Sequence, residues 1–206
     1  MNRRTLVIAA AVALVGVIVA VAASFLHDGL SARAKPSALE AMVARKARHM
    51  AIPSNARLAQ NPVLASAEDL RDARLHFADH CAICHGNDGG GQTMIGNGLY
   101  PKPPDLRLQE TQNLSDGELF WIIENGVRFT GMPAFANGGE HGGSVDSWKL
   151  VHFIRHLPRL GAEERMEMER YNPKGPADRE EEQQENDFLN GATPGRKPES
   201  QNHHQE

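Results

Sequence analysis

The chain has 206 residues, 40% of them hydrophobic, with a formal net charge of −4 and 2 cysteines. That length holds one ordinary domain with extensions, and two thiols are too few for a disulfide scaffold. An acidic balance, with no aromatics interleaved among the basic residues, excludes a nucleic-acid footprint and predicts no nucleic-acid partner. Much of the apolar content sits in one block, Thr5 to Leu26, uncharged throughout and preceded by Arg3 and Arg4. A bilayer span takes about 20 apolar residues, whereas a cleaved signal has an apolar stretch of about 7–15. Residues 1–27 therefore read as an N-terminal transmembrane anchor, with a removed signal as the alternative through the small-x-small run Ala20-Val21-Ala22. The positive-inside bias keeps Arg3 and Arg4 in the cytoplasm, so either reading exports the remainder. The expectation is a single-pass bacterial inner-membrane protein whose C-terminal domain faces the periplasm, or a soluble periplasmic one after cleavage.

Residues 28–65 read as a juxtamembrane linker. Ser37 and Glu40 form a capping-box pattern, and Leu39, Met42, Val43 and Met50 follow at roughly helical spacing, which predicts a short amphipathic helix ending before Pro53. Its cations, with Arg33, Lys35 and Arg57 around it, suit either a solvated linker or contact with anionic headgroups. The compact domain, residues 66–160, opens at Ser66, which caps a helix through Glu68 and Asp69. Leu70, Ala73, Phe77 and Cys81 then recur on one face. Gly86 to Gly98 is loop, and Tyr100-Pro101-Lys102-Pro103-Pro104 cannot be helix interior. A second helix starts at Ser115, with Glu118 completing another capping box, and stops at Asn125-Gly126. A third starts near Asp146 and runs through Trp148, Val151 and Phe153 until Pro158; the glycine-rich stretch 136–147 before it leaves its start open. No alternating strand pattern appears, so the fold class is all-α. Residues 161–206 are rich in Glu, Gln, Asn, Pro and Gly, which predicts an acidic, largely disordered tail with one helical turn around Glu163–Tyr171. His203 and His204 in that tail read as a solvated pair.

The two cysteines lie in Cys81-Ala82-Ile83-Cys84-His85, the c-type haem attachment pattern. Thiols three residues apart at a helix end lie on one face, within reach of the two vinyl groups of one porphyrin, and the next residue places its imidazole toward the iron. A redox dithiol uses the same spacing but normally starts a helix after a strand. A zinc site would need further Cys or His ligands, and a lone disulfide is the remaining alternative. Downstream, Thr130-Gly131-Met132-Pro133 frames a methionine whose soft thioether suits iron, making Met132 the candidate sixth ligand. Met94 follows His85 too closely to reach the opposite haem face, and His141, His152 and His156 are weaker candidates.

From about Ser66 to Leu160 the chain resembles a class I c-type cytochrome, a monohaem bacterial domain found in membrane-attached respiratory subunits. The resemblance implies three main helices around one covalently bound haem c and its iron, with cofactor-binding residues Cys81, Cys84, His85 and Met132. His85 and Met132 would be the metal ligands, and no residue is catalytic. It implies that Phe77 meets Phe153 or Trp148 across the last helix, and that a proline carbonyl, of Pro101 or Pro103, holds the other nitrogen of the proximal imidazole. A six-coordinate iron implies electron transfer between redox partner proteins, donor and acceptor, by a carrier that is not itself an enzyme. Alternatives are a haem-relay subunit of a dehydrogenase or oxidase complex, or a haem sensor or peroxidase in which Met132 dissociates.

Overall fold

The apolar block forms one helix, α1 (Arg3–His27), in a computed structural model that describes residues 2–27, 31–136 and 143–189. Its Arg3–Ala23 stretch is long and apolar enough to cross a membrane, a property that signal sequences share. Every regular element among the described residues is helical. Helix α2 (Ala38–Ala51) starts where Ser37 Oγ accepts the Glu40 amide at 3.2 Å, and ends before Pro53. A single turn, α3 (Ser54–Arg57), follows. Helix α4 (Ala67–His80) is capped by Ser66, whose Oγ accepts from the Asp69 amide at 2.9 Å. Three single turns come next: α5 (Ala82–His85), α6 (Met94–Asn97) and α7 (Gln109–Gln112).

Helix α8 (Asp116–Asn125) has the full capping box: Ser115 Oγ accepts from the Glu118 amide at 3.1 Å, and Glu118 Oε2 accepts from the Ser115 amide at 2.8 Å. Helix α9 (Gly143–His156) begins before the expected Asp146, which lies in its first turn, where a carboxylate complements the helix dipole. It runs into a 3-10 turn, Leu157–Arg159, built around Pro158.

The core is where α4, α8 and α9 converge. Phe77 on α4 meets Phe153 on α9 with ring centroids 5.1 Å apart and planes at 58°. Trp148, the other expected partner, stacks instead on Phe120 of α8 at 4.0 Å and 9°. Phe77, Val151, Phe153 and Leu157 are buried, and each such side chain contributes about 1.5–3 kcal/mol through removal from water.

Two segments outside the expected 66–160 boundaries pack on this core. On the N-terminal side, Ile52 is buried, His49 Nδ1 lies 2.8 Å from Glu118, and Ser115 donates to the Arg57 carbonyl at 2.7 Å. Asn61 donates to the Trp148 carbonyl at 2.9 Å, and His152 Nε2–H to that of Val63 at 2.7 Å. The approach is so close at Gly117 that a Cβ there would lie 1.9 Å from the Ala56 carbonyl oxygen. On the C-terminal side, α10 (Ala162–Glu169) is two turns rather than the one expected, and it docks by inserting Met168, which is fully buried. Arg74 bridges Glu164 and Glu167, and Arg71 reaches Glu167 at 2.8 Å. The tail therefore begins as part of the domain, because Met168 and the glutamates of α10 face an arginine pair on α4. Helix α11 (Pro176–Leu189) follows with its described side chains exposed. The histidines at 141, 203 and 204 lie outside the described residues.

Cutting the chain after Leu160 should therefore destabilise the domain. Met168→Ala should cost about 2–4 kcal/mol in chemical unfolding, whereas removing residues beyond Lys174 should change stability by under about 0.5 kcal/mol.

Desolvation raises the Glu118 pKa, but the Ser115 amide and His49 outweigh it and leave the carboxyl below its usual range. Glu164 is likewise lowered net of desolvation, by the Gly161 amide, His156 and Arg74. Folded values below the unfolded ones mean that these groups stabilise the fold above the ordinary carboxylate range, and that this stabilisation is lost as pH falls through the folded values. Unfolding midpoints should thus drop steeply below about pH 4, with a shallower drop in Glu118→Gln.

Candidate functional site

Helix α4 hands the chain directly to the two thiols. The Cys81 amide donates to the Phe77 carbonyl at 2.9 Å, and the Cys81 carbonyl then accepts from the Cys84 and His85 amides at 3.2 and 2.9 Å. Cys81 is thus both the end of α4 and the start of α5, with Cys84 one turn on and His85 beside it. Both cysteines are free. Protein atoms crowd the Cys81 sulfur although part of the residue surface remains open; burial, with a smaller contribution from Cys84, pushes its pKa up to about 12. Burial raises Cys84 as well. A redox dithiol depends on a depressed thiol pKa, so this pair lacks its electrostatics.

Burial lowers the His85 pKa, opposed in part by the backbone of Pro104, so the imidazole is neutral, the form in which it ligates a metal. Its Nδ1 is buried without a well-formed hydrogen bond, although the Pro104 backbone lies near enough to act on it. Pro104 replaces the expected Pro101 and Pro103 here. The Pro103 carbonyl is turned toward Gly91, where a Cβ would lie 2.6 Å from its oxygen, and Pro101 follows a cis peptide bond from Tyr100. The intervening loop is stitched over His85 by the Gly91 amide on the His85 carbonyl at 2.7 Å and the Leu106 amide on that of Gly89 at 2.8 Å. Nothing in the proline run distinguishes Pro104 by composition; only the path of this loop does.

Met132 sits in a closed turn after α8. The Val127 amide donates to the Met132 carbonyl at 3.1 Å, the Met132 amide to Thr130 Oγ1 at 3.1 Å, and the Phe135 amide to the Ile123 carbonyl at 3.1 Å. Gly126, at φ +64°, permits the reversal: a Cβ there would lie 2.6 Å from the Pro133 carbonyl carbon, in a conformation that side chains rarely adopt. Leu99 packs against the backbone of this turn at Gly131, and its amide donates to Gly96, which rests on the Cys84 carbonyl. Thr93 Oγ1 donates to the Ile83 carbonyl at 2.8 Å, fixing α6 to α5. The methionine turn and the cysteine turn are therefore joined through residues 93–99. Met94 is exposed at the start of α6, beside the cysteine turn. His152 and His156 are occupied elsewhere, by the Val63 carbonyl and by Glu164 at 2.9 Å. Among the described residues no three His, Cys, Asp or Glu side chains gather into a metal cluster, which leaves the zinc reading without ligands.

Two free, protonated thiols one turn apart could take a covalently attached porphyrin, beside a neutral imidazole with an unsatisfied buried nitrogen, and a thioether stands on a separate pinned turn. The helical fold fits, and a family match over residues 68–154 supports, a class I monohaem c-type cytochrome domain. Residues 68–154 match the family described as cytochrome c oxidase, cbb3-type, subunit III, a span of less than half the chain that begins in α4 and ends in α9. The cofactor is covalently bound haem c with its iron, and the domain serves haem-based electron transfer. No curated protein matches the chain in sequence.

In haem-free protein, Cys81 should react with iodoacetamide at neutral pH about 100-fold or more slowly than an ordinary thiol, and more slowly than Cys84, since only the thiolate is nucleophilic. Mass spectrometry of a timed alkylation checks both rates.

Proposed function

We propose that the chain is a membrane-tethered, periplasm-facing electron carrier whose haem is attached through Cys81 and Cys84 and ligated by His85 and Met132. The observation that supports this best is the junction at Cys81, which puts both thiols and the His85 imidazole on one helical turn linked through α6 and Leu99 to the Met132 turn. When bound, the group supplies a one-electron ferric–ferrous couple. His85 and Met132 would both hold the iron, leaving no open position for oxygen or substrate. A thioether would stabilise the reduced state relative to a second imidazole, and apolar surroundings would disfavour the extra charge of the oxidised one, giving a potential on the high side for haem. The hydrogen bonds that close the Met132 turn keep it fixed through the redox cycle and hold the reorganisation small.

With α1 retained as an anchor, diffusion is confined to the membrane plane, which raises the effective concentration near an integral partner. The family described as an oxidase subunit favours a second reading, in which the same haem is one relay within an oxidase complex. Co-purification of a stable complex from mild detergent supports the relay, and recovery of a lone chain supports the carrier.

Replacing Met132 with Ala should open one axial position. The oxidised protein should lose its weak far-red charge-transfer band, and the reduced protein should bind carbon monoxide at neutral pH. Persistence of the band with inert iron overturns the assignment of Met132. Gly126→Val, which forces the turn off α8, should have the same spectroscopic effect with the thioether still present.

A further inference from the structure

Helix α2 meets the domain along one face and turns a chemically different one outward. Ala41 and Arg48 are half-covered and Ile52 is buried, so these positions mark the packed face. At 100° per residue, Leu39, Val43, Lys46 and Met50 lie on the opposite side, with Met42 at its flank. Leu39, Val43 and Met50 are 66, 54 and 79% exposed, although the helix is otherwise well anchored through its C-terminal end. An apolar stripe that faces away from its own domain is unusual on a soluble surface.

Charge and position say what covers it. Lys46 stands beside the stripe, and Arg33 and Lys35 precede the helix. The one carboxylate between residues 31 and 57, Glu40, is engaged by the Tyr100 hydroxyl. Residues 28–37 separate α2 from the apolar helix α1, a connection short enough to keep α2 within reach of the same membrane surface. A helix with Leu, Val and Met on one face and Lys beside them is built to lie at a lipid interface.

We propose that the outward face of α2 lies in the headgroup region of an anionic bilayer, so that the helix is clamped between lipid and α8. Leu39, Val43 and Met50 enter the boundary of the acyl chains, while Lys46, with Lys35 ahead of the helix, meets lipid phosphates. The clamp sets which side of the cytochrome domain faces the membrane. It rests on the reading of α1 as a retained anchor only for delivery to the surface; the lipid contact is the property of α2.

The test is hydrogen exchange over residues 38–51 of the full-length holoprotein, in vesicles of phosphatidylcholine alone and of phosphatidylcholine mixed with phosphatidylglycerol. Exchange should be roughly tenfold or more slower in the anionic vesicles, and high salt or the paired change Lys35→Glu with Lys46→Glu should abolish the difference while the haem spectrum stays native. The separate variant Val43→Asp should abolish it too. Equal exchange in both vesicle types overturns the proposal, as does protection in neutral vesicles that grows with protein concentration, since this would make the face an interface between copies. Alkaline extraction of the same vesicles reports on α1 independently. Release by alkali with α2 still protected removes the anchor reading and leaves the clamp, whereas retention with α2 unprotected does the reverse.

Discussion

The contact between Phe77 and Phe153 is the constraint from which the haem site follows. It fixes α4 against α9, and because Cys81 accepts its helical position from the Phe77 carbonyl, the thiols inherit their placement from that aromatic pair. Phe77 also stands 6.4 Å from the His85 ring, centroid to centroid, so one side chain both anchors the core and walls the imidazole. A shift of α4 along α9 would carry both thiols, His85 and the loop sewn over it. The Met132 turn would stay with α8.

The electrostatic and main-chain bonds do a different job. They include sites where Glu118 caps α8 and meets His49, where Arg71 and Arg74 gather the glutamates of α10, and where Arg155 of α9 reaches Asp116 and the Gln112 and Leu114 carbonyls. The Glu118 and Arg74 side chains are only 8 and 11% exposed, so these bonds are largely desolvated and removing one partner leaves a costly unpaired charge. Ile52 and Met168 add to the holding, each a single buried apolar side chain at the end of an otherwise polar segment.

The helices that surround the site were legible in the sequence because their signals are local. Ser66 and Ser115 cap where their hydroxyls predict, Gly126 stops α8, and the period of Ala73, Phe77 and Cys81 puts all three on one face. Cys81-Ala82-Ile83-Cys84-His85 carries its chemistry in its spacing. What sequence could not show depends on where separate loops meet. Pro104 differs from Pro101 and Pro103 only in the direction its carbonyl takes after Gly91. Residues 49–63 attach partly through the Arg57 and Val63 carbonyls, which no side-chain pattern reports, and partly through single side chains, His49, Ile52 and Asn61, that form no periodic signal. Helix α10 reads as polar because one methionine in eight residues carries its burial, and the arginine pair it meets lies far away in the chain.

The strap formed by residues 49–63 also decides how mechanical load enters the molecule. In a chain held at its N-terminus, a pull past the exposed Glu40–Tyr100 contact reaches His49, Arg57, Asn61 and Val63, which are tied to Glu118, Ser115, Trp148 and His152. Tension is therefore shed into α8 and α9, in shear across several bonds, before it can travel along the backbone to Ser66 and α4. The segment that carries the thiols lies behind this hitch, so a backbone pull on the N-terminus is taken up by α8 and α9 before it loads Cys81.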